Sequence, residues 1–408
     1  MLDAHSQPTS LGRNYRFLRL YWAHFLSLLG NGLTTATIGL VAYELVGDGA
    51  AAVVGVSLAI RVFVLVMLAP VAGFVAHQLG EKVTMVVCQF FRGSIVVGFF
   101  FSETVFQIYL LSALLACGSS LFVPVHRSLI PAIVGHKAYP RALAYGAMAY
   151  EVTSIASPAL AAIVIALLGF RENFLIHAAT LFISMLLIAR LDLGAAAYSR
   201  NGLTKRPALL FGLKEMLRRA GLRSSIWLGL RVSVTGSFVH VATVKYVKAD
   251  LALSDVAYAL AMVAYGVGST LGALIYAKAS EFLRHSLLKA MLPTLMLALI
   301  VAATSQSYGV LLAAWFMAGS GQSLYIIASN RLLADNSIES ERPHLFGAQI
   351  SLGHAGWAFT YPLAGFLTSH WGFHATAWLF AGLLLLIALL LPLKSEKPGR
   401  VENPTGAV

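Results

Sequence analysis

Long apolar runs that recur from Leu20 to Leu393, separated by short polar loops, constrain this chain more than any other feature. Roughly 20 apolar residues at about 1.5 Å each cross a bilayer, and twelve stretches reach or approach that length. They are Leu20–Val46, Ala51–Val75, Val83–Phe101, Val105–Val125, Ala142–Phe170, Asn173–Leu191, Ser224–Val244, Ala257–Ala277, Leu287–Ala303, Tyr308–Leu332, Phe346–Leu367 and Ala375–Leu391. Only 11% of the residues are charged and the mean hydropathy is +0.78, which excludes a soluble globular chain. The expected fold class is an all-α polytopic membrane protein.

One long polar segment, residues 192–223, divides the runs into six and six. The expected domains are therefore 1–191, a cytoplasmic linker 192–223, and 224–408. Within the linker, Ala208–Arg219 reads either as an amphipathic surface helix or as plain solvated chain. With both termini placed in the cytoplasm, only Arg171, Lys245 and Lys248 of the 29 Lys and Arg fall outside, and Arg61, Arg92 and Arg231 fall within spans. That bias fixes the expected orientation, in a bacterial inner membrane. The net charge of +12 resides in loops rather than in a basic patch interleaved with aromatics, so nucleic acid is not an expected partner. Arg13, Arg16 and Arg19 precede the first run with no small-residue cleavage site after it, so that run is expected to stay as a signal anchor. Cys88 and Cys117 both lie in apolar runs and read as small core residues.

A repeat supports the division. At a constant offset of 204 residues, Gly32 matches Gly236, Arg127 matches Arg331 and Pro158 matches Pro362. Their contexts agree as well: SSLFVPVHRSL against SLYIIASNRLL, and SPALA against YPLAG. Two parallel six-helix halves related by an axis along the membrane normal are one way transporters are built.

Over nearly its whole length the chain resembles the major facilitator superfamily. FLSLLGNGLTTATIGLVAYELVG (25–47) and PVHRSLIPAIVGHKAYPRALA (124–144) resemble the drug:proton antiporter branch that includes macrolide and siderophore exporters. LAYGAMAYEVTSIASPALAA and LFGAQISLGHAGWAFTYPLAGFL are similar to bacterial nickel-resistance exporters. The resemblance implies two six-helix halves, transport by alternating access, and a gating signature Gly-x-x-x-Asp-Arg-x-Gly-Arg/Lys-Arg/Lys between helices two and three. Here that stretch reads Gly73-Phe-Val-Ala-His77-Gln78-Leu79-Gly80-Glu81-Lys82. The glycines and Lys82 remain, while the Asp, which the resemblance implies latches the halves, the Arg and one further basic position are replaced by His77, Gln78 and Glu81. Arg127 and Arg331, at the ends of the fourth and tenth spans, complete the expected gating set.

The residues that could carry chemistry lie inside the spans. Glu151 is a carboxylate well within an apolar helix, where an ionisable group reads as functional. It could take up and release a proton near physiological pH, or form a structural ion pair. Arg61 is the natural intramembrane counter-charge; it could bind an anionic substrate, or snorkel. Arg231 reads as a gate or a snorkelling residue, and Arg92 as structural. His24, His177, His240 and His354 each read first as packed histidines. His240 and His354 with Glu151 could supply an N,N,O set for a divalent metal such as nickel or cobalt. Asn31 and Gln322 are candidate hydrogen-bonding cavity residues, and Trp357, Phe359 and Tyr361 candidate organic-substrate contacts. His370 and His374, at i and i+4 after the eleventh span, read as solvated loop residues or as a pair that could catch a metal outside.

No phosphate loop, zinc-binding His-Glu-x-x-His or nucleophile elbow is present, so neither an enzyme nor an ATP-driven pump is expected. The expected function is secondary, proton-coupled efflux of a small molecule, with no cofactor and a monomer as the unit. The alternatives are a metal exporter of the same fold, a lipid-acting membrane enzyme, or a non-transporting sensor.

Overall fold

The computed structural model describes residues 11–68, 71–192, 207–337 and 342–392. Helices fill the expected spans, and among the described residues there is no strand. The first half holds α1 (Tyr15–Val46), α2 (Ala50–Leu68), α3 (Ala72–Leu79), α4 (Glu81–Phe100), α5 (Val105–Leu167) and α6 (Glu172–Ala189). The second holds α7 (Pro207–Arg218), α8 (Ala220–Lys245), α9 (Asp255–Lys278), α10 (Glu281–Thr304), α11 (Tyr308–Asp335), α12 (Arg342–Trp371) and α13 (Phe373–Leu390).

Helix ends follow local chemistry. The Asn14 side chain accepts from the Phe17 amide at 3.1 Å and donates to the Ile133 carbonyl at 3.3 Å, so the cap of α1 also ties it to α5. Thr104 and Gln107 form a reciprocal capping box at the start of α5. Gly135, at φ 74°, breaks α5 into two membrane-length arms, Val105–Gly135 and Arg141–Leu167, because a left-handed residue cannot continue the helix. The expected fourth and fifth spans are these two arms. The second expected span is shared by α2 and α3. Eight stretches among the described residues are long and apolar enough to cross a membrane, one of them, Tyr15–Leu68, containing both α1 and α2. Helices α8 and α12 fall short of that measure because they carry polar and charged groups inward, such as Arg231, Ser233, Thr235 and Gln349.

The core decides the overall shape. At the end away from the linker, residues of both halves share one cluster that includes Leu33, Ala51, Val54, Phe238, Tyr258 and Trp315. At the linker end the core separates in two. One cluster around Phe17, Met85, Phe122 and Leu129 belongs to the first half, and another around Met216, Ile226, Leu333 and Leu345 to the second. The halves therefore share one apolar core at one end and keep separate cores at the other. Close approach at the shared end requires glycine. A Cβ on Gly55 would strike the Tyr361 carbonyl, one on Gly365 the Ala51 carbonyl, and one on Gly266 the Ser154 carbonyl.

The 204-residue repeat reappears in the packing. Gly32 of α1 lies against Ser157 of α5, and Gly236 of α8 lies against Trp357 of α12. The linker reading gains a definite form: α7 buries Met216 in the second half's core, so Ala208–Arg219 packs on protein rather than running as plain solvated chain. Glu215 holds α7 together through Arg218 and Arg219, both at 2.7 Å, and Arg219 continues to the Asn336 carbonyl at 3.1 Å. Helix α8 starts at Ala220, four residues before the expected boundary.

Candidate functional site

Where the shared core gives way to the separate ones, six helices bring polar and aromatic side chains to the junction of the halves. From α2, Arg61 donates to Thr35 Oγ1 of α1 at 3.1 Å. The guanidinium is half-buried, makes no ion pair among the described residues, and lies within electrostatic reach of Tyr361 on α12. The Tyr361 ring lies 5.1 Å from that of Trp357, one helical turn earlier on the same face, and is tilted to it by 43°. His240 of α8 sits 6.3 Å from Trp357 and 5.3 Å edge-on from Tyr265 of α9. Tyr265 lies within electrostatic reach of both Tyr361 and Tyr150, which closes the circle back to α5.

Glu151 follows Tyr150 at this junction. Its backbone carbonyl accepts from Thr270 Oγ1 of α9 at 3.2 Å, and Ser154, which also bonds that carbonyl, meets Thr270 at 3.3 Å. The carboxyl oxygen Oε2 is buried with no hydrogen-bond partner. The structure does not pair Glu151 with Arg61. It places them on different helices of the first half, with Arg61 turned to Thr35, and Glu151 makes no ion pair among the described residues.

Arg92 has a larger role than a lone structural cation. It is 1% exposed and donates to Ser27 Oγ at 2.9 Å, Gln89 Oε1 at 2.6 Å and Asn31 Oδ1 at 3.0 Å, with Phe122 beneath its guanidinium at 5.6 Å. Gln89 continues to Ser184 at 2.6 Å and Ser184 to the Ala23 carbonyl at 2.8 Å, so one arginine organises α1, α4 and α6. All of its acceptors are neutral. Asn31 and Thr35, one turn apart on α1, thus hold two arginines at the same wall. Spacing along the chain gave no sign of this, because the partners come from different helices.

Other expected site residues go elsewhere. Arg231 is 3% exposed and donates to the Leu391 carbonyl at 2.8 Å and the Ala388 carbonyl at 3.4 Å. It satisfies the C-terminal end of α13, where a cation is favoured, so the gate and snorkelling readings give way to a helix-end clasp. Phe359 is 78% exposed, because two residues along a helix turn a side chain away from the face that carries Trp357 and Tyr361. His240, His354 and Glu151 do not converge: among the described residues no three His, Cys, Asp or Glu are placed to hold a metal ion. The metal set therefore has no assembled site. His354 and Gln322 are half-buried on α12 and α11.

Of the gating set, Gly80 turns the chain between α3 and α4 at φ 83°, with exposed His77 before it and half-buried Lys82 after it. Gly73 lies in α3. Arg127 and Arg331 are exposed at equivalent places in the two halves. His177 is buried and shares a 2.6 Å hydrogen bond with Thr34, as a packed histidine should. His24 and His126 stack at 4.2 Å in the first half.

The fold agrees with known proteins. The sequence profile of the Major Facilitator Superfamily matches residues 20–247 and 226–407. An uncharacterized MFS-type transporter, YfiS of Bacillus subtilis (strain 168), is 26% identical over 212 residues, a match that spans 51% of this chain and 50% of that protein. Among solved structures, a POT family transporter in complex with 5-aminolevulinic acid superposes with a TM-score of 0.72 at 11% identity, covering 94% of this chain and 97% of the other. The nucleoside transporter NupG superposes at 0.69 with 15% identity, covering 92% and 98%. These structural likenesses concern the fold. Matched by the family profile in both halves, the chain belongs to the major facilitator superfamily of membrane transporters.

Proposed function

We propose that this protein is a proton-coupled secondary transporter that exports a small organic molecule by alternating access. Glu151 carries the reading. Its carboxyl oxygen is buried without a donor, at the point where the two halves meet. Lost solvation at that buried oxygen disfavours the ionised carboxylate more than the neutral acid, so the residue suits loading and unloading a proton. With the basic loops and linker on the cytoplasmic side, the end at which the halves keep separate cores opens to the cytoplasm and substrate enters from there. Rocking the halves about the glycine contacts would expose the same junction to the other side. Of the proteins that share the fold, one is in complex with 5-aminolevulinic acid and another is a nucleoside transporter, and a small organic cargo is in keeping with that fold.

The test uses proteoliposomes with an internal pH dye and a panel of drugs, siderophores, organic anions, nickel and cobalt. A transported compound should move protons in the opposite direction, and Glu151→Gln should abolish that movement while substrate still binds. Unchanged proton movement in Glu151→Gln would remove the coupling role.

A further inference from the structure

We infer that the junction binds an organic anion with an aromatic or flat apolar body, its carboxylate or equivalent acid held by Arg61. The inference rests on the transporter reading and names its substrate class. Three observations carry it. First, the charge at the wall is unbalanced. Arg61 makes one hydrogen bond, to a neutral hydroxyl, and Arg92 behind it is held only by neutral oxygens. The two guanidiniums lie within electrostatic reach of each other, and neither has a carboxylate partner among the described residues. A half-buried arginine with most of its five donors unused favours a planar anion that can take two of them at once.

Second, Tyr361, which lies within electrostatic reach of Arg61, belongs to a chain of aromatic rings. Tyr361 and Trp357 at 5.1 Å, and His240 and Tyr265 at 5.3 Å, offer ring faces and edges rather than acidic groups. Such a wall accepts a flat apolar body and adds nothing for a cation to pair with ionically. Third, the Tyr265 hydroxyl is buried without a partner, so the wall holds an unfilled hydrogen-bonding group. Glu151, which could have cancelled the charge, is engaged through its backbone with Thr270 and makes no ion pair among the described residues.

The full-length protein in zwitterionic nanodiscs would be titrated with naphthoate, naphthamide and naphthylmethylammonium, reading tryptophan quenching. Naphthoate should bind about 10-fold or more tighter than naphthamide, as expected for a charge-assisted bidentate pair, with the ammonium weakest. Arg61→Gln should bring naphthoate down to the naphthamide level and leave naphthamide unchanged, and Arg61→Lys should keep part of the preference. If Arg61→Gln does not fold, Thr35→Val serves, since it releases Arg61 from its single anchor and should weaken naphthoate selectively.

Trp357→Leu should weaken naphthoate and naphthamide by the same factor. Equal affinities for the three probes, preference for the ammonium, no binding at millimolar concentration, or an unaltered Arg61→Gln would each overturn the inference. Adding phosphatidylglycerol should leave naphthoate affinity unchanged; competitive loss would assign the arginine to anionic lipid and overturn it too. Glu151→Gln should preserve the anion preference. Unchanged proton movement in Glu151→Gln therefore sinks the coupling reading alone, and absence of the anion preference in the unsubstituted protein sinks this one alone.

Discussion

Thr270 on α9 donates a hydrogen bond to the backbone carbonyl of Glu151 on α5, 3.2 Å across the junction between the halves. The carboxylate proposed to carry the proton is thus on a segment that the opposite half grips directly. Any rocking that separates α5 from α9 must break this bond and the adjoining Ser154–Thr270 contact.

Thr270→Val should weaken the grip without altering the size of the side chain. A hydrogen bond of this kind contributes about 1 kcal/mol, so the form open at the linker end should lose roughly 5-fold in population. Spin labels placed at Arg127 and Arg331, the exposed equivalent positions of the two halves, would report it as a shift toward shorter distances.

Gly266→Ala acts on the same contact by sterics. Its new methyl would meet the Ser154 carbonyl, a backbone atom that cannot swing aside. The cost, about 1–3 kcal/mol, falls on the linker-open form, which is the one that needs the contact. The same pair of labels should shift further than in Thr270→Val. An unchanged distance distribution would show that α5 and α9 can part without reorganising the linker end.

Arg92→Met should destabilise the first half. It leaves Ser27, Asn31 and Gln89 without their shared donor inside the helix bundle, at about 1–3 kcal/mol for each buried group left unsatisfied. Thermal unfolding in detergent should begin several degrees lower. Because Asn31 also borders Arg61's anchor, substrate affinity should fall even at temperatures where the variant is folded.

The linker helix should respond to acid. Arg218, and then Arg219, hold the Glu215 carboxyl below the usual carboxylate range. A carboxyl lowered in this way stabilises the docked helix above its unstructured value of about 4.3, and that stability is lost as pH falls through the lowered value. Proteolysis near α7 should be slow at neutral pH and accelerate in strong acid. Glu215→Gln should give the faster cleavage at every pH, and a pH-independent wild-type rate would contradict the docking role.

Sequence and tertiary structure divided the work along physical lines. Apolar runs, the offset of 204 and the turn glycines were legible from the chain, since bilayer thickness and φ/ψ sterics act locally. Those rules gave the helices and the division into two halves, while the family came from residue-level resemblance and the profile match. The same rules also identified Glu151 and Arg61, because a charge in an apolar run stands out whatever surrounds it. The partners of those charges were not legible. Arg61 turns to Thr35 rather than Glu151, Arg231 clasps the end of α13, and Arg92 gathers Ser27, Asn31 and Gln89. Each pairing joins helices far apart in the chain, and which faces meet is fixed only when glycines such as Gly55, Gly236 and Gly266 let particular helices approach. The sequence determined that charges would be buried in a two-half helical bundle; the packing of helix on helix decided which of them were left without a counter-charge, and that is what gives the junction its chemistry.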